Sequence, residues 1–130
     1  MAIIKTAIIV FGISLVVALG ACSTKPILNV KDAPIPAGRS LQTSQVRQAI
    51  MNAGIALGWQ IADSTPGVLH GTLRLRDHTA IVEIPYTSSN YSIAFKSGIN
   101  LGEKDGQIHK NYNGWVQNLD NRIQAELTRL

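Results

Sequence analysis

Apolar and polar residues alternate along three successive runs between residues 68 and 95, and a period of two is typical of half-buried strands. Turn-forming residues separate the runs at Asp77-His78 and at 87–90, which predicts an antiparallel meander. Trp59–Ala62, ahead of the Pro66-Gly67 turn signal, predicts a further short strand. The positions predicted to face inward in the meander are Leu69, Gly71, Leu73, Leu75, Ala80, Val82, Ile84, Tyr86, Tyr91, Ile93 and Phe95.

Two segments carry apolar residues at three- and four-residue spacing instead, which predicts amphipathic helices from about Thr43 to Leu57 and from about Lys110 to Leu127. One apolar face on every element predicts an α+β fold. We expect an antiparallel sheet of three to five strands with two helices packed on one face, in the order (β)αβββ(β)α. The two helical stripes are Val46, Ala49, Ile50, Ala53 and Leu57, and Tyr112, Val116, Leu119, Ile123 and Leu127.

The first 21 residues have the pattern of a targeting segment. Lys5 supplies a positive charge ahead of the apolar stretch from Ala7 to Leu19, and small residues follow. A helix that spans a bilayer needs roughly 20 apolar residues, and this stretch is shorter and is interrupted by Ser14. We therefore predict that residues 1–21 are a signal peptide that is removed.

The sequence Leu19-Gly20-Ala21-Cys22 at the end of that segment resembles the lipobox of bacterial lipoproteins. The resemblance implies that Cys22 carries a thioether-linked diacylglycerol, that the chain is cleaved before it, and that palmitate or a similar acyl group caps the new amino terminus. Ser23 resembles the sorting signal of outer-membrane lipoproteins. The alternative is an ordinary secretory or anchor segment that ends in a cysteine by chance. Since the chain has one cysteine, no internal disulfide can form.

Removal of residues 1–21 leaves 109 residues, which is enough for one ordinary domain. Residues 22–40 contain three prolines and predict a lipidated N-terminus with a flexible tether. A short edge strand at Ile27 to Val30, bracketed by Pro26 and Pro34, is the alternative. Residues 41–130 are predicted to form a single globular α+β domain.

The formal net charge of the whole chain is +4, and it falls to +3 when Lys5 leaves with the signal peptide. This mildly basic balance is compatible with weak attraction to anionic lipid headgroups or envelope polymers. Export to the envelope makes nucleic acid an unexpected partner.

Three cations lie on the polar side of the predicted meander. Arg74, Arg76 and Lys96 would give the open face of the sheet a net positive charge, suited to an anionic partner. The alternative is a solvated face in which cross-strand pairs such as arginine with Glu83 contribute little energy.

The start of the second helix carries the densest group of side chains that commonly bind partners, namely His109, Tyr112, Asn113 and Trp115. The alternative is packing and helix capping, because Tyr112 lies on the apolar stripe and Trp115 adjoins it. Gly114 in the interior of this helix predicts a close approach of another backbone.

The histidines His70, His78 and His109 and the scattered carboxylates form no metalloprotease motif, nucleophile elbow or cysteine metal set. We therefore expect a protein that is not an enzyme and that uses no cofactor and no metal.

The lipobox, the Gly58-Trp59 step, the three alternating runs and the segment 108–115 together resemble small lipoproteins common in proteobacterial genomes. That resemblance implies an anchor but supplies no activity. The expected function is a non-enzymatic accessory or structural lipoprotein, which faces the periplasm from the outer membrane and docks another envelope protein or polymer. The alternative is a periplasm-facing binder or sensor of a glycan fragment or lipid headgroup.

Overall fold

The computed structural model describes residues 23–36 and 40–130, and within these ranges the chain forms two helices and seven strands. The predicted signal peptide and Cys22 lie outside the described residues. The elements, in chain order, are β1 (Thr24–Pro26), β2 (Val30–Pro34), α1 (Thr43–Ala56), β3 (Gln60–Thr65), β4 (Val68–Leu75), β5 (His78–Pro85), β6 (Asn90–Ile99), β7 (Gln107–His109) and α2 (Lys110–Thr128).

Five strands form one antiparallel sheet in the order β2-β6-β5-β4-β3, and β1 pairs antiparallel with β7 in a second, two-stranded ladder. The buried residues of both helices and of the central strands belong to one hydrophobic core. The predicted α+β fold class, with its order of strands and helices, is confirmed.

The core is built from the alternating strand positions and the two helical stripes, except for Leu57, which follows the end of α1 and is 37% exposed. Leu69, Val82 and Ile93, from three neighbouring strands, are fully buried together with Ile50 of α1 and Ile123 of α2. Complete burial of a side chain of this size contributes about 1.5–3 kcal/mol. Packing of these faces, more than the intrinsic helix propensity, therefore holds α1 and α2 in place.

The first hairpin turn lies one residue earlier than the sequence predicts. Leu75 pairs with His78, so the reversal is Arg76-Asp77, and Arg76 adopts the left-handed φ of 57° that suits the twist of a two-residue hairpin. The sequence predicts that Leu75 faces inward and is buried, but it lies at the end of the strand and is 45% exposed. His78 consequently belongs to β5 and faces the same side of the sheet as Ala80.

The prediction of a flexible tether at 22–40 is wrong for residues 23–36, which form β1 and β2 and pack on the domain. Ile27 and Leu28 lie against the hydrophobic core between the two strands. Pro26 and Pro34 end their strands, and β2 is an edge strand of the larger sheet, a position at which proline's missing N–H group removes no ladder bond. The alternative, a short edge strand at Ile27 to Val30, is wrong in its bounds, because residues 27–29 lie between the strands and the edge strand β2 begins at Val30.

A close approach between a helix and the sheet occurs at Gly54 of α1. A Cβ atom at this position would overlap the side chain of Ile61 on β3, so α1 can reach the sheet only because residue 54 is glycine. The close approach predicted at Gly114 is wrong, because a Cβ atom there would have no neighbour within 4 Å.

These two helical glycines give a matched pair of substitutions. We expect Gly114→Ala to stabilise the domain by about 0.5–1 kcal/mol, because alanine is the better helix former. Gly54→Ala should destabilise it by about 1–3 kcal/mol, because overpacking against Ile61 outweighs the same propensity gain. Urea unfolding of both variants measures the difference, and a stabilised Gly54→Ala variant would contradict the close packing.

Two tyrosines are fully buried on the helix-covered side of the sheet. The hydroxyl of Tyr91 donates to Asp120 Oδ1 at 2.5 Å and accepts from Gln124 Nε2 at 2.9 Å. Burial, reinforced by the hydrogen bond to Asp120, holds the pKa of Tyr91 far above its ordinary value. The pKa of Tyr112 is also raised by burial, and its hydroxyl has no hydrogen-bond partner in the described part of the chain.

Both raised pKa values predict a loss of stability in alkali. An unfolded tyrosine ionises near pH 10, whereas the folded hydroxyls stay protonated above that pH. Their contribution to the free energy of unfolding is therefore complete below about pH 10 and is lost above it, by up to about 1.4 kcal/mol per pH unit for each tyrosine. Urea unfolding between pH 8 and about pH 12 measures this slope.

Tyr112→Phe should remove about half of that alkaline slope and leave stability at neutral pH unchanged or slightly higher, because the lost hydroxyl was unpaired. Tyr91→Phe is the matched comparison, since it also halves the slope but loses the hydrogen bonds with Asp120 and Gln124, and it costs about 1–3 kcal/mol at neutral pH. An unchanged slope in both variants would show that other groups control alkaline unfolding.

Candidate functional site

His109 begins the second helix as its N-cap. Its Nδ1 atom accepts a hydrogen bond from the backbone N–H of Asn111 at 3.2 Å, and this satisfies one of the free donors of the first turn. The His109 ring is half-buried. It therefore caps the helix, as predicted, and still exposes one edge to a partner.

Tyr112, predicted as a partner-binding residue, has no exposed surface. Its ring packs edge-on against Phe95 with the two ring centroids 5.2 Å apart. A side chain with no exposed atoms cannot contact a partner of the folded domain, so this part of the predicted site is wrong and Tyr112 belongs to the core.

Asn113, also predicted to bind a partner, uses both ends of its side-chain amide within the chain. Oδ1 accepts from the backbone N–H of Leu28 at 3.0 Å, and Nδ2 donates to the backbone oxygen of Pro26 at 2.8 Å. The prediction is corrected, because the amide fastens the segment between β1 and β2 to α2 and has little hydrogen-bonding capacity left for a partner.

The two remaining members of the predicted group, His109 and Trp115, are joined by His78 from the start of β5. The His78 ring centroid lies 5.6 Å from that of His109 and 6.1 Å from that of Trp115, and all three side chains are half-buried. Sequence reasoning missed His78 because it placed the residue in the turn. The available signal was the alternation itself, since His78 continues the inward series of Ala80 and Val82.

The His78 ring is held in a defined orientation. Its Nδ1 atom lies 2.7 Å from the backbone oxygen of Asn100, which can only accept, so Nδ1 carries the hydrogen. Its Nε2 atom lies 3.5 Å from Asp77 Oδ1, and the Asn100 amide donates to the other oxygen of Asp77 at 2.7 Å. These bonds join the β4–β5 hairpin to the end of β6.

Exposed leucines extend this cluster into a larger apolar surface. Trp115 and Leu57 line a small cavity of about 70 Å³, and Leu57 is 37% exposed. Leu75 is the cross-strand partner of His78 on the other side of the hairpin. We call the surface formed by His78, His109, Trp115, Leu57 and Leu75 the cluster face. It combines apolar area with ring N–H donors, which suits contact with a partially apolar surface.

The predicted basic patch is not assembled into one site. Lys96 Nζ donates to Glu83 Oε1 at 2.6 Å, and this hydrogen bond holds the pKa of Glu83 below its usual value. Arg74 donates to Gln60 Oε1 at 2.7 Å, several residues further along the sheet. Arg76 stands in the hairpin turn, so each cation has a separate setting and the open face matches a solvated sheet surface.

A second cavity, of about 240 Å³, lies between the start of α1 and the end of α2. Amide side chains, including Gln48 and Asn52, form much of its wall. Its carboxylate, Glu126, already accepts from Arg122 at 3.0 Å and from Arg129 at 3.2 Å. The carboxylate of this cavity is therefore already paired with two arginines at the end of α2.

Comparison with known proteins gives no relative: no family model matches the chain, and no curated protein or solved structure is significantly similar to it. Within residues 23–36 and 40–130, neither helix is both long and apolar enough to cross a membrane. Over the same ranges, no three His, Cys, Asp or Glu side chains are grouped so that they could hold a metal ion.

The fastening role of Asn113 predicts a local effect of substitution. Asn113→Ala should release residues 23–36 and cost about 1–3 kcal/mol, because the N–H of Leu28 and the carbonyl of Pro26 lose their partner. Hydrogen exchange followed by mass spectrometry should detect faster exchange in this segment. Asn121→Ala is the control, since Asn121 accepts only from Gln117 on the same helix. Unchanged exchange in Asn113→Ala would contradict the role.

Proposed function

We propose that this chain is a lipid-anchored, non-enzymatic accessory protein of the bacterial envelope that docks another envelope component through its cluster face. The observation that carries the proposal is the convergence of His78, His109 and Trp115 from three separate elements, with two exposed leucines beside them.

The anchor part of the proposal is supported by the lipobox sequence that ends in Cys22. A single acyl chain gives only marginal membrane binding, whereas the two or three chains of a mature lipoprotein retain a protein stably. Ser23 after the cysteine supports the outer membrane as the destination and the periplasm as the compartment that the domain faces.

The docking part is supported by the composition of the cluster face. Tryptophan is over-represented among the residues that dominate binding energies, because it buries a large area with little loss of side-chain entropy. Trp115 is held between His78 and the wall formed with Leu57, so it is already ordered before a partner arrives. An ordered anchor loses little further entropy on binding.

At the cluster face, cavity size favours docking over the capture of a small ligand, which was the alternative from the sequence. The cavity beside Trp115 measures about 70 Å³, whereas pockets that enclose small molecules are usually about 300–1,000 Å³. A glycan fragment would find little enclosure there, while a broad partner surface needs none.

In-cell photo-crosslinking tests the proposal. A photoreactive residue at 118, beside Trp115, should give adducts of defined mass with a protein, polymer or lipid of the envelope. The same residue at 117 is the matched control, because Gln117 is exposed on another side of α2. Palmitate labelling should be present in the parent protein and absent in Cys22→Ser. Retained labelling would overturn the anchor, and equal adducts at 117 and 118 would overturn the docking surface.

A further inference from the structure

The described chain begins beside the start of α2. The backbone oxygen of Ser23 accepts from the N–H of Lys110 at 2.9 Å, and Thr24 is the cross-strand partner of His109. Residue 23 is therefore fixed next to the cluster face, to which His109 belongs.

No spacer separates this fixed point from the proposed lipid anchor. Cys22 is bonded directly to Ser23, and consecutive Cα atoms are about 3.8 Å apart. Because β1 begins at Thr24 and is held by β7, the anchor cannot swing away from the domain as it would on a long linker. Acyl chains on residue 22 would bring the bilayer surface to the His109 end of the domain.

We infer that the cluster face, together with Lys110, rests on the lipid headgroup layer of the membrane into which the anchor inserts. This inference rests on the proposed lipid anchor, and it names the membrane surface as the envelope component that the cluster face contacts. The membrane is identified as the contacting surface by the position of Ser23 and by the side chains around it.

The side chains of this surface suit the boundary between water and lipid. Tryptophan is enriched at that boundary, where its ring meets acyl chains and its N–H group meets headgroups. Leu75 adds exposed apolar area, and the exposed Lys110 supplies a cation for lipid phosphates. Asp77, the carboxylate beside His78, is engaged by the Asn100 amide.

The sheet fixes which part of the domain points away from the membrane. The strand β5 runs from His78, in the cluster face, to Pro85, and its eight residues extend more than about 20 Å. The turn at 87–89 follows at the far end and is exposed. This turn is thus the distal reference point for an experiment.

Depth-dependent fluorescence quenching tests the orientation. Cys22 is the only cysteine in the chain and is acylated in the anchored protein, so an introduced cysteine is the only free thiol. Asn111→Cys, exposed one helical turn from Trp115, places a thiol-linked fluorophore at the proposed contact, and Ser88→Cys is the distal control. The lipidated full-length mature proteins are reconstituted in phosphatidylethanolamine and phosphatidylglycerol vesicles that contain a headgroup-nitroxide lipid.

We expect the fluorophore at 111 to be quenched several-fold more strongly than the one at 88. Equal quenching at the two positions, in protein that does associate with the vesicles, overturns the inference and leaves the lipid anchor intact. Protein that does not associate with the vesicles overturns the anchor, and the inference falls with it. Preferential shielding of 111 in native envelopes but not in pure vesicles would identify a protein partner at this face and also overturn the inference.

Discussion

The pairing of β1 with β7, fastened by Asn113, is the constraint on which the proposed orientation of the domain at a membrane depends. Three residues in each strand form the ladder, and the amide of Asn113 holds Pro26 and Leu28 where the chain leaves it. A two-stranded ladder of this length is not stable alone. It persists because Ile108 of β7 is buried in the same core as α2, so that core packing is transmitted to the first residues of the described chain.

The open side of the sheet and the cluster face differ in how far their side chains are paired or covered within the described chain. On the open side of the sheet, Lys96 pairs with Glu83 and Arg74 with Gln60, and such exposed pairs contribute little energy individually. Glu83 thereby compensates the charge of Lys96, while Arg74 bonds a neutral amide and Arg76 lies apart in the hairpin turn. In the cluster face, by contrast, Trp115 and Leu75 retain apolar area that nothing in the described chain covers. A preference for a partially apolar environment follows from that difference.

Local periodicity predicts those parts of the fold that depend on a repeated buried face. The stripe from Tyr112 to Leu127 and the alternation around Val82 confirm this, because every member must reach the same core. Periodicity does not predict the structure of residues 23–36, because their prolines suit a linker and an edge strand equally well. Only the long-range pairing with β7 and β6 decides between these two structures. The candidate site depends on side-chain direction: the same helix turns Tyr112 inward, Asn113 toward β1 and Trp115 toward His78. Composition cannot distinguish these directions.

The free energy that retains a lipid-anchored domain at a membrane is separate from the free energy that orients it there. The orienting free energy can be small. Acyl chains supply retention whatever face the domain presents. A tenfold bias toward one orientation needs only about 1.4 kcal/mol, which corresponds to burial of about 60 Å² of apolar surface at about 25 cal/mol per Å². Burial of the area that Trp115 and Leu75 still expose is of that order, because a half-buried tryptophan retains a fraction of its total of about 150–250 Å². The proposed anchor, joined directly to Ser23, would make this modest term sufficient, because it would confine the domain to the few orientations in which the cluster face lies near the bilayer.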